Sequence, residues 1–178
     1  YVYDIEGNEI ASKTVDGLNY PNNVDVEYGI PFNGSDIDIA VVTERDTERL
    51  RVFQVPDMTP VDGGSGIPVF EGETDRECMG IALYKRPSDG AVYAVVSRKG
   101  GPSVDNLWQY RLEDNGSGEI VGTHVRSFGK YSGKKEIEAI AVDDELEYIY
   151  YSDEEAGIRK YHADPDHLDA ATELAFFG

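Results

Sequence analysis

The sequence predicts an all-β fold, and three observations support this prediction. Short runs of alternating apolar and polar residues, bounded by Gly, Asp, Asn and Pro, continue along the whole chain, which is typical of β-strands. Helical periodicity is nearly absent, and its one weak candidate is residues 166–174. Similar strand patterns also return at a regular interval, which indicates a repeated structural unit.

Three segments without gaps define the repeat, and they follow one another at about 55 residues. They are IAVVTER from Ile39, YAVVSRK from Tyr93 and YIYYSDE from Tyr148. One strand-like run precedes each segment and two follow it, and the last of these closes on Phe70, Phe128 or Phe177. Four antiparallel strands at this interval are the pattern of a β-propeller blade.

The repeat divides residues 1–178 into parts of a propeller domain. Residues 1–20 resemble the last two strands of one blade, and the next three blades are residues 21–72, 76–129 and 135–178. Because closed propellers have about four to eight blades, these units form about half of a ring. An open ring leaves unpaired sheet edges that intact proteins avoid, so we expect the chain to be part of a longer protein.

Composition narrows the possible partners. Sixteen basic and 35 acidic residues give a formal charge of −19. Such a charge repels nucleic acid and anionic membranes and tolerates bound cations, although simple solubility explains it equally well. No apolar run approaches the about 18 residues of a membrane-spanning helix, and Cys78, the single cysteine, has no partner for an intrachain disulfide. We therefore expect neither nucleic acid nor a membrane as a partner.

Two positions of the repeat carry mostly charged or polar residues in successive units. The seventh position of the three segments holds Arg45, Lys99 and Glu154. The start of the preceding strand holds Asn23, Met79 and Glu138. Equivalent positions of propeller blades surround one axis, so side chains of both signs should share one face. Basic residues bind anions and carboxylates hold hard cations, which favours an anionic ligand bridged by metal. Ordinary solvation of charged loops is the alternative.

Three runs of the sequence resemble the calcium-dependent β-propeller phytases, the 3-phytase family. They are NNVDVEYGIPFNGSDIDIAVVTER (22–45), YAVVSRKG (93–100) and EIEAIAVDDELEYIYYSDEEAGIRKY (136–161). The resemblance implies a six-bladed propeller that binds several Ca²⁺ ions and releases phosphate from myo-inositol hexakisphosphate (phytate). It also implies a secreted or periplasmic protein that is a monomer when complete.

The resemblance assigns catalytic-site roles to residues that the repeat also singles out. Glu138 and Glu154 match carboxylates that hold catalytic calcium in the family. Val24 stands where the family uses a backbone carbonyl on calcium, and Asn23 lies beside it. These four residues are the metal ligands that the resemblance implies.

The same resemblance implies which residues contact substrate. Arg45 and Lys99 match basic residues that contact phosphates of phytate, whereas Met79 stands where some members have a substrate-contacting Tyr. The implied reaction is direct attack on phosphorus by a water that calcium activates. The family's remaining calcium motifs are expected outside residues 1–178, so we expect this chain to be inactive alone.

Two alternatives from other classes remain open. The first is a non-catalytic propeller that uses calcium structurally and binds a partner on its acidic face. The second is a lactonase-like propeller hydrolase with one central metal, for which Arg45 and Lys99 have no role.

Overall fold

The computed structural model describes residues 1–178 and consists almost entirely of β-strands, which confirms the predicted all-β class. The one helical segment is a 3₁₀ turn, Ala11–Lys13, and residues 166–174 form turns. Within residues 1–20, an isolated bridge between Tyr3 and Glu9 replaces the two expected strands. None of the helical structure is long and apolar enough to cross a membrane.

Thirteen strands form three antiparallel sheets. They are β1 (Pro21–Phe32), β2 (Ser35–Glu44), β3 (Arg49–Val55), β4 (Thr59–Pro60), β5 (Ile67–Pro68), β6 (Cys78–Lys85), β7 (Val92–Arg98), β8 (Leu107–Asp114), β9 (Ile120–Phe128), β10 (Ile140–Asp143), β11 (Tyr148–Asp153), β12 (Gly157–His162) and β13 (Ala175–Phe177). The strand order is β1-β2-β3-β4 in the first sheet, β6-β7-β8-β9 in the second and β10-β11-β12-β13 in the third. Each sheet thus contains one repeat of the sequence.

The outer edge of the first sheet differs from the other two. Its fourth strand is split into β4 and β5, which both pair with β3, and Phe70 lies beyond β5 rather than at a strand end. The connecting loop contains Gly63, Gly64 and Gly66, all with positive φ. These turns interrupt the strand, and the prolines that end β4 and β5 offer no N–H group to continue pairing.

The sheets pack face to face through their second strands. In β7, Val92, Ala94 and Val96 pack against the first sheet, and the alternating residues Tyr93 and Val95 pack against the third. Because side chains alternate along a strand, β7 is buried on both faces. First strands β1, β6 and β10 lie side by side, with β6 in contact with both neighbours, as in propeller blades around an axis.

Hydroxyl groups at the fifth position of the repeat link each sheet to the next. Thr43 Oγ1 accepts a hydrogen bond from the Asn23 N–H (3.0 Å) and donates to the Met79 carbonyl of the second sheet (2.8 Å). Ser97 Oγ likewise accepts from the Gly80 N–H (2.8 Å) and donates to the Ile137 carbonyl, just before the third sheet. These buried bridges fix how neighbouring first strands sit against one another.

Candidate functional site

Arg45, Lys99 and Glu154 occupy the same place in their three sheets. Each directly follows the second strand, and its backbone N–H donates to a carbonyl that lies shortly before the first strand of the same sheet. The acceptors are Tyr20 (3.1 Å), Glu77 (2.9 Å) and Glu136 (3.4 Å). The seventh position of the repeat therefore lies at the same end of every sheet.

The register of the first strands corrects one equivalence drawn from the sequence. Val24, Ile81 and Ile140 pair with the fourth residue of their repeat segments, which is Val42, Val96 and Tyr151. The residues two positions earlier are Asn22, Met79 and Glu138, so Asn22, not Asn23, corresponds to Met79. Pairing is irregular at this point both in β1, between Pro21 and Val24, and in β6, between Cys78 and Ile81, so the regular pairs beyond it define the correspondence.

Three of the predicted site residues line one open groove of about 360 Å³ between the first strands. They are Asn23, Val24 and Glu138. Val24 is exposed there, and the Asn23 Nδ2 group donates to the Met79 carbonyl at 3.2 Å. Since the amide nitrogen of Asn23 is used in this way, its amide oxygen is left for another partner.

Arg45 lies next to this groove and is held without an acidic partner. Its Nη2 contacts Met79 Sδ, and its guanidinium lies 4.8 Å from the centre of the Tyr20 ring. The buried Nε has no hydrogen-bond partner. Met79 is fully buried and touches both Arg45 and Asn23, so these two residues are neighbours through it.

Lys99 lines a different groove, of about 290 Å³, between the first and second sheets. Its Nζ lies 3.9 Å from Glu77 Oε2, and both side chains are exposed. Arg76 lines the same groove and pairs with Glu48 at 2.9 Å. The two predicted phosphate contacts therefore lie in different places, since Arg45 packs beside Met79 and Tyr20 whereas Lys99 lines a separate groove.

The two predicted carboxylate ligands are free of protein partners. The side chains of Glu138 and Glu154 make no hydrogen bond or ion pair, in contrast with the neighbouring Glu155, which lies 3.9 Å from the Lys135 ammonium. Glu138 is exposed and Glu154 is partly buried. Carboxylates, an amide oxygen and a backbone carbonyl are the oxygen ligands that Ca²⁺ prefers.

The donor types fit calcium, but the chain does not close a coordination sphere by acidic side chains alone. Nowhere in residues 1–178 do three His, Cys, Asp or Glu side chains gather closely enough to hold a metal ion. A divalent ion in the groove would therefore also need backbone or amide oxygens, or ligands from elsewhere.

Asp25 and Arg76 are candidate site residues that the sequence did not single out. Asp25 lines the groove with Asn23 and Val24, and its Oδ2 accepts a hydrogen bond from the Leu83 N–H at 2.7 Å. An acid between the apolar residues Val24 and Val26 of β1 was the available signal for Asp25. Arg76 lies in the irregular loop before β6, where no sequence pattern marks it.

Negative charge continues along β1 beyond the groove. Burial raises the pKa of Glu27, and the nearby carboxylates of Asp144 and Asp25 add to this rise. The pKa of Asp144 is raised mainly by its burial, although the Lys85 N–H that donates to it opposes the shift. The first strands therefore enclose carboxylates that repel one another.

Comparison with known proteins identifies the family to which the chain is similar. A family model described as Phytase matches residues 1–175. The chain is 32% identical over 173 residues to a 3-phytase of Bacillus subtilis (strain 168), and the match covers 92% of this chain and 41% of that protein. The chain thus spans about two fifths of the length of the relative that it matches.

Proposed function

The chain belongs to the phytase family, and from this premise we propose that it contributes to a calcium-dependent phosphomonoester hydrolase acting on phytate. The observation that carries the proposal is that charged groups of both signs lack a protein partner of opposite charge among the predicted site residues. Arg45 has no acidic partner and its buried Nε has no hydrogen bond, and the exposed carboxylate of Glu138 has no basic partner. An anionic substrate and a cation together would satisfy both.

We propose that Glu138 and Glu154 hold Ca²⁺ with the Val24 carbonyl and the Asn23 amide oxygen. The free carboxylates and the uncommitted amide oxygen of Asn23 support this assignment, because hard oxygen ligands suit calcium in flexible geometry. Several calcium ions are expected, since phytate itself carries many negative charges. When bound, calcium would lower the pKa of a bound water and neutralise phosphoryl oxygens.

Arg45 and Lys99 would bind the phosphates. The guanidinium of Arg45 is already oriented by Met79 and Tyr20, so little side-chain entropy is lost when it donates to a phosphate oxygen. Lys99 is exposed and only loosely paired, so it is free to contact a neighbouring phosphate. Their charges would stabilise phosphoryl oxygens while a water attacks phosphorus directly.

Part of the site is proposed to come from outside these residues. The chain spans 41% of the matched 3-phytase, and residues 1–178 do not gather a full set of acidic ligands. We therefore propose that this chain is inactive alone and that the complete protein carrying these residues is the enzyme. By family, that protein would be secreted or periplasmic, where phytate and calcium are available.

The test is phosphate release from phytate by the complete protein at increasing calcium concentration, with and without a chelator. We expect release that rises with calcium and stops when the chelator is added. Calcium binding without release would instead identify a non-catalytic binding propeller. Hydrolysis of lactones, insensitive to competition by inorganic phosphate, would identify a lactonase-like enzyme, and either result would refute the proposal.

A further inference from the structure

A buried charged residue stands immediately before each of the three residues at the seventh position of the repeat. These residues are Glu44, Arg98 and Asp153, which expose 2%, 1% and 0% of their surface. Charged side chains are seldom buried unless they are paired or hydrogen-bonded. A buried charge of either sign recurs at this one structural position, which indicates a shared structural role.

In the first sheet, the Glu44 carboxylate connects two loops at the end of the sheet where Arg45 lies. Its Oε1 accepts a hydrogen bond from the Asn19 N–H at 2.7 Å, in the loop that leads into β1. Its Oε2 accepts from the hydroxyl of Thr47, in the loop after β2 that also carries Arg45. The carboxylate therefore joins the loop before the first strand to the loop after the second.

In the second sheet, Arg98 performs the same connection with donors. Its Nη1 donates to Glu73 Oε2 (2.9 Å) and to the Asp75 carbonyl (3.2 Å), both in the loop before β6. Its Nη2 and Nε donate to the carbonyls of Asp105 (3.2 Å) and Asn106 (3.3 Å), in the loop after β7. Glu44 is negative and Arg98 is positive, but each has partners of the matching kind. N–H and O–H groups donate to the Glu44 carboxylate, whereas carbonyls and a carboxylate accept from the Arg98 guanidinium.

In the third sheet, Asp153 holds the loop before β10. It accepts hydrogen bonds from the Ser132 N–H (2.9 Å) and hydroxyl (2.6 Å), and it forms an ion pair with Arg159 at 2.8 Å. Arg159 in turn pairs with Glu173 at 2.7 Å. The next residue, Glu154, bonds through its N–H to the Glu136 carbonyl of the same loop.

We propose that Glu44, Arg98 and Asp153 are positioning residues that fix the backbone of Arg45, Lys99 and Glu154 on the site face. This inference rests on the proposed function for what those three residues bind. Asp153 gives the sharpest case, because Glu154 is the proposed calcium ligand that follows it. Groups that orient metal ligands without touching the metal commonly control affinity by about 10- to 100-fold.

The test replaces Asp153 with Asn in the complete protein and measures calcium binding by titration calorimetry without substrate. We expect the dissociation constant for calcium to rise by about tenfold, because Asn cannot retain the ion pair with Arg159. Amide hydrogen exchange at Glu154, measured without calcium, should become faster. Its N–H donates to the Glu136 carbonyl, and this bond should open more often once the contacts of Asp153 are weakened.

Asp62→Asn is the matched control. Asp62 is also buried, pairs with Arg51 at 2.7 Å and accepts hydrogen bonds from the N–H groups of Val52 and Gly64. It lies between β4 and β5, at the outer edge of the first sheet. A similar loss of stability with unchanged calcium affinity and unchanged exchange at Glu154 is expected for this variant.

The outcomes separate this inference from the proposed function. If the unchanged protein neither binds calcium nor releases phosphate from phytate, the proposed function is wrong. If it does both, and Asp153→Asn affects calcium affinity no more than Asp62→Asn, the positioning role is refuted. Should Asp153→Asn fail to fold, Ser132→Ala decides, because it removes the hydroxyl that donates to Asp153 and accepts from the Lys134 N–H in the same loop. A weakened affinity supports the role and an unchanged one overturns it.

Discussion

The arginines of this chain differ in what neutralises them. Arg51 and Arg159 are paired with the buried carboxylates of Asp62 and Asp153, which identifies them as structural. Arg45 has only a sulfur atom and an aromatic ring beside it, and its Nε is buried without a partner. Because a partly buried charge without a counterion is costly, Arg45 is well placed to bind an anion.

Arg45→Ala should raise the KM of the complete protein for phytate by about tenfold or more, with a smaller change in kcat, since a hydrogen bond to a charged group contributes about 1.5–3 kcal/mol. Steady-state kinetics at saturating calcium measure this effect. Arg111→Ala is the control, because Arg111 is exposed on β8 and pairs only with Glu113. An equal rise in both variants would reflect net charge rather than contact at the site.

Glu27 is a buried acid whose ionised form is disfavoured in the folded state. Its pKa is raised mainly by burial, so the folded protein binds a proton more readily than the unfolded chain does. Stability therefore decreases as pH rises from the unfolded value through the raised one, and the deficit persists at higher pH. Its Oε1 accepts from the Tyr28 N–H, a bond that a Gln side chain retains.

Glu27→Gln should consequently raise the urea midpoint at pH about 7, while at pH about 3, below both pKa values, the two proteins should unfold alike. Asp89→Asn should behave oppositely, because a hydrogen bond from Arg86 lowers the pKa of Asp89 to about 2. That variant should be destabilised at neutral pH and lose the deficit only near pH 2. Destabilisation of Glu27→Gln at neutral pH would show that its charge is compensated.

At the scale of the strands, Gly80 sits where β6 approaches the segment before β10. A Cβ atom on Gly80 would lie 2.3 Å from the Glu138 carbonyl oxygen and 3.0 Å from Ser97 Oγ. The first contact is with backbone and cannot be relieved by rotating a side chain. The glycine thus allows the first strands of the second and third sheets to meet.

Gly80→Ala should destabilise the protein by about 1–3 kcal/mol, the usual cost of overpacking, and should also weaken calcium binding because it displaces the backbone of Glu138. Chemical unfolding and calorimetry measure the two effects. Gly100→Ala is the control, since a Cβ at Gly100 meets nothing within 4 Å. A Gly80→Ala protein as stable as the unchanged one would mean that β6 and β10 can separate without cost.

The strands could be predicted from sequence better than their edges. Strand β7 was found easily because both of its faces are buried, which leaves a continuous apolar run from Val92 to Val96. The outer edge of the first sheet was not, because the turns at Gly63, Gly64 and Gly66 depend on backbone conformations that an apolar pattern does not encode. The regular strands expected before Asn19 are reduced to a single bridge.

The candidate site was likewise predicted only in part from the sequence. The repeat correctly aligned Arg45, Lys99 and Glu154, because each of these residues directly follows its second strand and donates its N–H to the loop before the first strand. It did not distinguish Asn22 from Asn23, since the two residues are identical in sequence and only the strand register separates them. Nor could it find the buried role of Asp153, because adjacent acids look alike in sequence and only tertiary packing decides which one is enclosed.

At the scale of the whole molecule, the charge of −19 opposes folding. Like charges repel one another in the compact state, and the buried acids of β1 add to this cost. A cation can reduce the repulsion in two ways. Any salt screens it at a distance, whereas a bound divalent ion neutralises particular carboxylates and stabilises the folded state by mass action.

Raising NaCl from about 0.01 M to about 0.15 M shortens the screening length from about 30 Å to about 8 Å, so the Tm of the complete protein should rise modestly. CaCl₂ at equal ionic strength should raise the Tm further, because it also binds. MgCl₂ is the control: Mg²⁺ demands a tighter octahedral geometry and dehydrates reluctantly, so it should act much as NaCl does. Scanning calorimetry in the three salts distinguishes these cases, and equal Tm values in CaCl₂ and MgCl₂ would mean that the acidic face only attracts divalent charge without a calcium-selective site.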